Sequence, residues 1–480
     1  MNKQTKFRLD QGPFEIDQDE GWATIATTTP SDKHIRNVGL GMVGYTWEEN
    51  GPSVKARNGE ESLEQHIEKM ATLPFADVLY IRCDWRDVQS RPGKLDLHPV
   101  WKLTEQAAKQ YGLRVAFRVQ LSNYSFQPER LAMPDFLLDQ VPVAPIGRTK
   151  DGHIMREPIY NHPAFMKAFQ ELNELLAEQF NHTRTEFMDL MMYGFWGEGH
   201  TSQYPHPLSS DYEAELTFMK LAQLQIDTWD KVPLAVNTQP DISRVGNRAV
   251  QRLAIDQDCW LRTDSILIEE PCQVQMLNDR PPTAAAILED GYYRHYDTKR
   301  IPIDAAGINA MESNMLHALN VGANYWSMWT ESDNLAAYNE QYPAGIRELQ
   351  KRMGYRLRPA WVWQRKRYGT DELVIALAND GVSSVPGTVW LTLTGPDDGH
   401  KLHLSGCLDP GHPYAGKLRQ AAFVLPPGMD GRTVRLSAEL ETKPGVRHPL
   451  NWACAQPVHV DRSITIQLKA HNESGWRKGV

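Results

Sequence analysis

Glu198 is the residue whose surroundings most suggest chemistry. It lies in Glu186–His200, EFMDLMMYGFWGEGH, between two glycines and with Trp196 and His200 close by. The apolar run Phe187–Tyr193 before it reads as a buried strand: short, nearly continuous in apolar residues and closed by a glycine-rich break. A charge at the end of a core strand is costly without a task or a partner. A carboxylate among aromatic faces suits a sugar, whose ring stacks on the flat face while the acid meets the glycosidic oxygen. On this stretch alone, a Glu that caps the next helix fits equally well.

The elements that position Glu198 emerge from periodicity. Strands are expected at His34–Tyr45, Ala76–Cys83, Leu113–Leu121, Phe187–Tyr193, Val232–Asn237, Cys259–Ile266, Arg300–Ile303 and Asn324–Trp329. Helical spacing falls between them, as in Glu61–Leu73, Pro99–Tyr111, Pro163–Phe180, Asp211–Trp229, Ile242–Asp256, Ile308–Val321 and Tyr338–Met353. Two long excursions interrupt the order, Ser122–His162 and Leu267–Thr298, the second with a helical piece at Thr283–Asp290. Eight strands, each followed by a helix, predict a (β/α)8 TIM barrel over residues 1–358, including an N-terminal extension. A doubly wound sheet is the runner-up, and the first βα turn lacks the glycine fingerprint it would need. From 359 to 470 short alternating segments such as GTVWLTLTG and SITIQL predict a C-terminal all-β sandwich domain, with 471–480 a polar tail.

In such a barrel the site lies at the C-terminal strand ends. Polar residues collect there: Arg82 and Asp84 on strand two, Gln120 and Asn123 on three, Trp196, Glu198 and His200 on four. Strand five adds Asn237, strand six Arg262 and Asp264, strand seven Asp304, and strand eight Trp326, Trp329 and Glu331. No metal-ligand cluster, nucleophile elbow or phosphate loop accompanies them, so no metal and no cofactor is expected. Carboxylates, amides and tryptophans remain, the equipment of glycoside hydrolysis, in which one carboxyl protonates the leaving oxygen and the other attacks carbon or activates water. Packed against Trp196, Glu198 would have the raised pKa of a general acid. Arg262 and Asp264 also read as an internal salt-bridge layer. Trp326 and Trp329, three residues apart on one strand, point to opposite faces, so one of them faces the sugar.

Composition narrows the classes. The chain has 480 residues, 41% hydrophobic and 23% charged, which suits a globular protein with a sizeable core. Its net charge of −9 and lack of a basic run argue against nucleic acid as a partner. No apolar segment is long enough to span a membrane, and the polar start carries no secretory signal, so a cytoplasmic protein, or an exported one whose signal was removed, is expected. The five scattered cysteines read as small core residues. A carbohydrate substrate is the expected partner, and a homo-oligomer is open.

Two segments carry a family resemblance. YIRCDWRDVQSRPGKLD, Tyr80–Asp96, resembles the second strand and loop of clan A of the (β/α)8 glycoside hydrolases. GFWGEGH resembles the G-x-W-G-E-x-H segment of a subgroup of that clan, and NYWSMW the aromatic end of its strand eight. The resemblance spans about residues 35–355. It implies that Glu198 is the acid/base and that strand seven supplies the nucleophile, here Asp304 in RIPIDAAG, where the clan has Glu. Glu269, Glu270 and Glu331 are the alternative nucleophiles. Gly197 stands where the clan often has Asn. The resemblance also implies retention of configuration through a glycosyl-enzyme. A non-catalytic carbohydrate-binding protein on a decayed barrel, or a transglycosylase or lyase on the same scaffold, are the alternatives.

Overall fold

The structure, a computed structural model, describes residues 7–10, 19–48, 51–123, 130–149, 151–200, 208, 210–238, 247–263, 271–290, 310–367, 369–395, 402–408 and 419–477. The chain divides into two compact units, Gly41–Arg347 and Met1–Leu40 with Glu348–Val480.

Eight parallel strands close the first unit into a (β/α)8 barrel. In barrel order they are Gly41–Trp47, Val78–Asp84, Arg114–Gln120, Thr185–Asp189, Leu234–Asn237, Trp260–Thr263, Ala286–Asp290 and Tyr325–Met328, the last pairing with the first. Helices follow the strands and begin and end on local chemistry. Leu63–Ala71 starts at a reciprocal cap between Ser62 and Gln65, and Pro99–Tyr111 stops at Gly112, whose φ of 66° is the left-handed conformation a helix end favours.

Strand seven corrects the sequence reading. The barrel takes Ala286–Asp290 as its seventh strand, so the strand expected at Arg300–Ile303 is not needed to close it. Thr283–Asp290, with three consecutive alanines, reads as helix because Ala is the best helix former. Burial between two parallel neighbours overrides that preference, and Ala286–Asp290 is buried throughout. The carboxylate that strand seven turns into the barrel is therefore Glu289. Asp304, Asp264, Glu269 and Glu270 lie outside the described residues.

Inside the barrel the two-residue alternation produces a change of polarity at one level. Tyr80, Ala116, Phe187, Ala235, Trp260, Ile287 and Tyr325 form an apolar cluster. Two residues further along each strand stand Arg82, Arg118, Asp189, Asn237, Arg262, Glu289 and Ser327. All seven are buried. An apolar floor thus supports a charged layer, which the C-terminal strand ends carry.

In the second unit, two antiparallel sheets share one apolar core that includes Leu373, Ile375, Phe423, Leu391, Leu393 and Leu436. The N-terminal segment, expected to extend the barrel, joins this unit: Asp19–Thr27 pairs with Leu357–Arg367, and Phe7–Asp10 with Arg419–Val424. It supplies both outer strands of a five-stranded sheet. Cys83, Cys259 and Cys454 are buried, but Cys272 and Cys407 are exposed rather than in the core. Among the described residues no helix is long and apolar enough to cross a membrane.

Candidate active site

The loop after strand four is folded back on itself by its glycines. Gly194, Trp196, Gly197 and Gly199 all have positive φ, and Phe195 bridges to His200. A Cβ on Gly194 would lie 2.5 Å from the His200 carbonyl oxygen, so only glycine fits there. At Gly197, where φ is 71°, a Cβ would press on Arg118 Cδ at 3.3 Å, which favours glycine. Trp196 adopts φ 60° without being glycine, a conformation that surrounding contacts must impose. Its N–H donates to the Ser122 carbonyl at 3.0 Å, and its own carbonyl accepts from Arg118 at 3.1 Å. The turn aims Glu198 inward and sets His200 beside it, with Nε2 3.2 Å from Glu198 Oε2 and the ring edge-on to Trp196.

Glu198 meets a buried ion network. Arg82 pairs with Glu198 through one terminal nitrogen and with Glu289 through the other, the latter at 3.2 Å. Arg118 holds Glu198 at 2.9 Å and Asp189 at 3.0 Å. Arg262 pairs with Glu289 and, at 3.2 Å, with Asp189. Tyr80 donates to Asp189 at 2.5 Å, and Arg262 donates to Tyr45 and Ser327. Three guanidiniums thus face three carboxylates, balancing charge in a place where any uncompensated ion would be costly. Arginine suits this work because its planar fork can serve two carboxylates at once.

The network reverses the expected ionisation of Glu198. Burial alone would push its carboxyl up. Arg82, the His200 hydrogen bond and Arg118 outweigh burial and hold Glu198 well below the usual carboxylate range. Glu198 is an anion here, whereas Trp196 packing alone predicts a protonated acid. The difference comes from arginines that strands two and three deliver, which the strand-four segment does not reveal.

Asp84 has the opposite surroundings. It ends strand two, two residues beyond Arg82, and is partly exposed. Gln120 Nε2 at 3.1 Å and Asn123 Nδ2 at 3.2 Å both donate to its Oδ1. Gln120 also accepts from Arg82 Nε at 3.3 Å, tying Asp84 to the ion network through one neutral amide. Burial and the nearby Asp87 carboxylate push Asp84 up to about 7, against the smaller opposing effects of Asn123, Arg86 and Gln120.

The remaining candidates separate. Trp326 is fully buried between Tyr325 and Ser327, which both face the barrel interior, so it points toward the helices and cannot meet a ligand in the barrel. Trp329 is partly buried and packs against the interior cluster. Glu331 Oε1 accepts from the Val54 N–H at 2.8 Å, an anchoring contact with the start of the helix Val54–Arg57. Asn237 is buried at the end of strand five. The residues missed from sequence are Glu289, Asp189, Tyr45 and Tyr80. Glu289 had a signal: AILE is a short apolar run ending in a carboxylate, as at strand four.

No family model matches the chain, and no curated protein matches its sequence. Solved structures similar to it include an exo-β-1,4-mannosidase from Opitutaceae bacterium strain TAV5, with 11% identity and a TM-score of 0.37, covering 68% of this chain. The chain spans 58% of that mannosidase's length. An endo-glycoceramidase II from Rhodococcus sp. shows 14% identity and a TM-score of 0.37 over 82% of this chain and 100% of its own. A catalytic mutant of a GH42 β-galactosidase from G. stearothermophilus shows 10% identity and a TM-score of 0.42 over 66% of this chain and 58% of its own.

Proposed function

We propose that the barrel is a glycoside hydrolase whose carboxylate pair is Glu198 and Glu289. The observation that carries this reading is Arg82. Two nitrogens of its one guanidinium reach a carboxylate from strand four and a carboxylate from strand seven, so both acids lie within reach of a single planar group, as the close carboxyl pair of a glycosidase would. Glu289 attacks the anomeric carbon, and the anionic Glu198 stabilises the positive charge that develops there. Trp196 and Trp329 offer faces for the ring, and Asn123 and His200 offer hydrogen bonds to hydroxyls. Attack by Glu289 implies a glycosyl-enzyme and retention of configuration.

A second reading has its own observation. Glu198 and Glu289 are each only 1% exposed, and Arg82 lies between them where a scissile bond would sit. That arrangement also suits a barrel that binds carbohydrate, or only stabilises itself, without cleaving. Turnover separates the two. Aryl β-glycosides of glucose, galactose, mannose and xylose, followed by release of the phenol and by proton NMR of the first anomer formed, test cleavage and stereochemistry together. Hydrolysis with retention, lost in Glu289→Gln, is the expected result. Sugar binding without release, or inversion, contradicts the proposal.

A further inference from the structure

The geometry points to Asp84 as the proton donor of this site, with Oδ1 pinned by Gln120 and Asn123 and Oδ2 presenting the proton to the glycosidic oxygen. The assignment rests on the carbohydrate reading above and supplies what that reading lacks, since Glu198 is held as an anion.

Three observations carry it. First, the cations of the charged layer are shared among Asp189, Glu198 and Glu289, and among the described residues Asp84 has no ion pair of its own. Second, its side-chain hydrogen-bond partners among the described residues are two neutral amides, and both donate to the same oxygen. An oxygen that accepts two N–H groups acts as the carbonyl of a carboxylic acid, which leaves Oδ2 to hold the proton. Third, Glu198 and Glu289 are buried, whereas Asp84 at the strand end is partly exposed. The charged neighbours that face Asp84 are Asp87 and Arg86, on the turn that follows it, and Arg82, reached through Gln120. Asp87 and burial favour the acid form and Arg86 opposes them, leaving Asp84 poised at about 7, where an acid can both give and take a proton near neutrality.

The step balances without a cofactor. The proton on Oδ2 passes to the glycosidic oxygen as the bond from that oxygen to the anomeric carbon breaks. The bonding electron pair stays on the oxygen, and the neutral alcohol leaves. Glu289 forms the new bond to the carbon. Water then attacks the same carbon, gives its proton to the Asp84 carboxylate and displaces Glu289.

Asp84→Asn tests this, because an amide oxygen can still accept from Gln120 and Asn123 while the proton is gone. The probes are paired 2,4-dinitrophenyl and phenyl β-glycosides of whichever of the four sugars the wild type hydrolyses. General-acid catalysis contributes about 10²–10⁴-fold, so the phenyl glycoside should lose about that factor in kcat/KM. The dinitrophenyl glycoside, whose leaving group needs no proton, should stay near wild type, and the basic limb of the pH profile should disappear. Equal rates for wild type and variant on both substrates would overturn the donor assignment alone. Hydrolysis of no glycoside by the wild type would overturn the glycoside hydrolase reading and the donor with it. Carboxyl ¹³C NMR of Asp-labelled protein gives a readout that needs no substrate. A resonance that titrates near neutrality and is absent from the variant is expected. Titration of that resonance in the ordinary carboxylate range would overturn the assignment.

Discussion

Arg82 holds Glu198 with one terminal nitrogen and Glu289 with the other, so one guanidinium sets the spacing of carboxylates 91 positions apart, from 198 to 289. A lysine ammonium is a single point and cannot bridge them in this way. Arg82→Lys should therefore lower stability by about 1.5–3 kcal/mol, the worth of a hydrogen bond to a charged group. Urea unfolding followed by tryptophan fluorescence checks this. An unchanged midpoint would mean that Arg82 does not hold the pair in solution.

Glu198 should make the protein acid-sensitive. Its folded pKa is depressed, so its stabilising contribution is complete above the unfolded value of about 4.3 and is lost as pH falls through the folded value. Glu198→Gln leaves Arg82 and Arg118 short of a buried counter-charge, which should cost about 3–5 kcal/mol at pH 7. The gap between variant and wild type should narrow below pH about 4. Thermal unfolding at pH 7 and pH 3.5 measures both. A gap that is constant with pH would show that Glu198 is not the ionised partner.

Asp84 should act in the opposite direction. Its folded pKa is raised to about 7, so the folded state binds the extra proton and its advantage is complete below the unfolded value. Stability should fall as pH rises from about 4 to about 7, by up to about 4 kcal/mol, a ceiling reduced by the partial exposure of the residue. Asp84→Asn should be more stable than wild type at pH 8 and no more stable at pH 4. Chemical unfolding at the two values decides it, and a variant less stable at pH 8 counts against the protonated acid.

Much of the barrel is legible in the sequence because parallel strands leave short apolar runs and their helices leave 3.6-residue spacing. The strand-four segment is the clearest case, since an apolar run, three glycines at a turn and a carboxylate between two of them fit few other structures. Strand seven was obscured because TAAAILED carries helix propensity, and only its burial between strands six and eight makes it a strand. The ion network was illegible for a different reason. Arg82, Arg118, Arg262, Asp189 and Glu289 come from five strands, and no local pattern indicates that charges so far apart in sequence neutralise one another. That is also why Glu198 reads as an acid in sequence and stands as an anion in the fold.

The glycines of the strand-four loop can be tested apart from the chemistry. At Gly194, φ is 76° and a Cβ would meet His200 backbone atoms at 2.5 and 2.6 Å. Gly194→Ala should cost more than about 2 kcal/mol and displace His200 from Glu198. Gly93 also has positive φ, but a Cβ there meets nothing within 4 Å, so Gly93→Ala serves as the control and should cost only about 1 kcal/mol. Comparable losses in both variants would mean that the tight loop is not what the glycine at 194 serves.

The pairing of Glu198 with Glu289 is tested most directly by trapping. Dinitrophenyl 2-deoxy-2-fluoro-β-glycosides of glucose, galactose, mannose and xylose form glycosyl-enzymes that hydrolyse slowly. Intact mass and peptide mapping then locate the bound sugar. One sugar per chain, attached to Glu289, is the expected result. A label on Asp304 or Glu270, or hydrolysis of the parent glycosides with no label on Glu289, would contradict it.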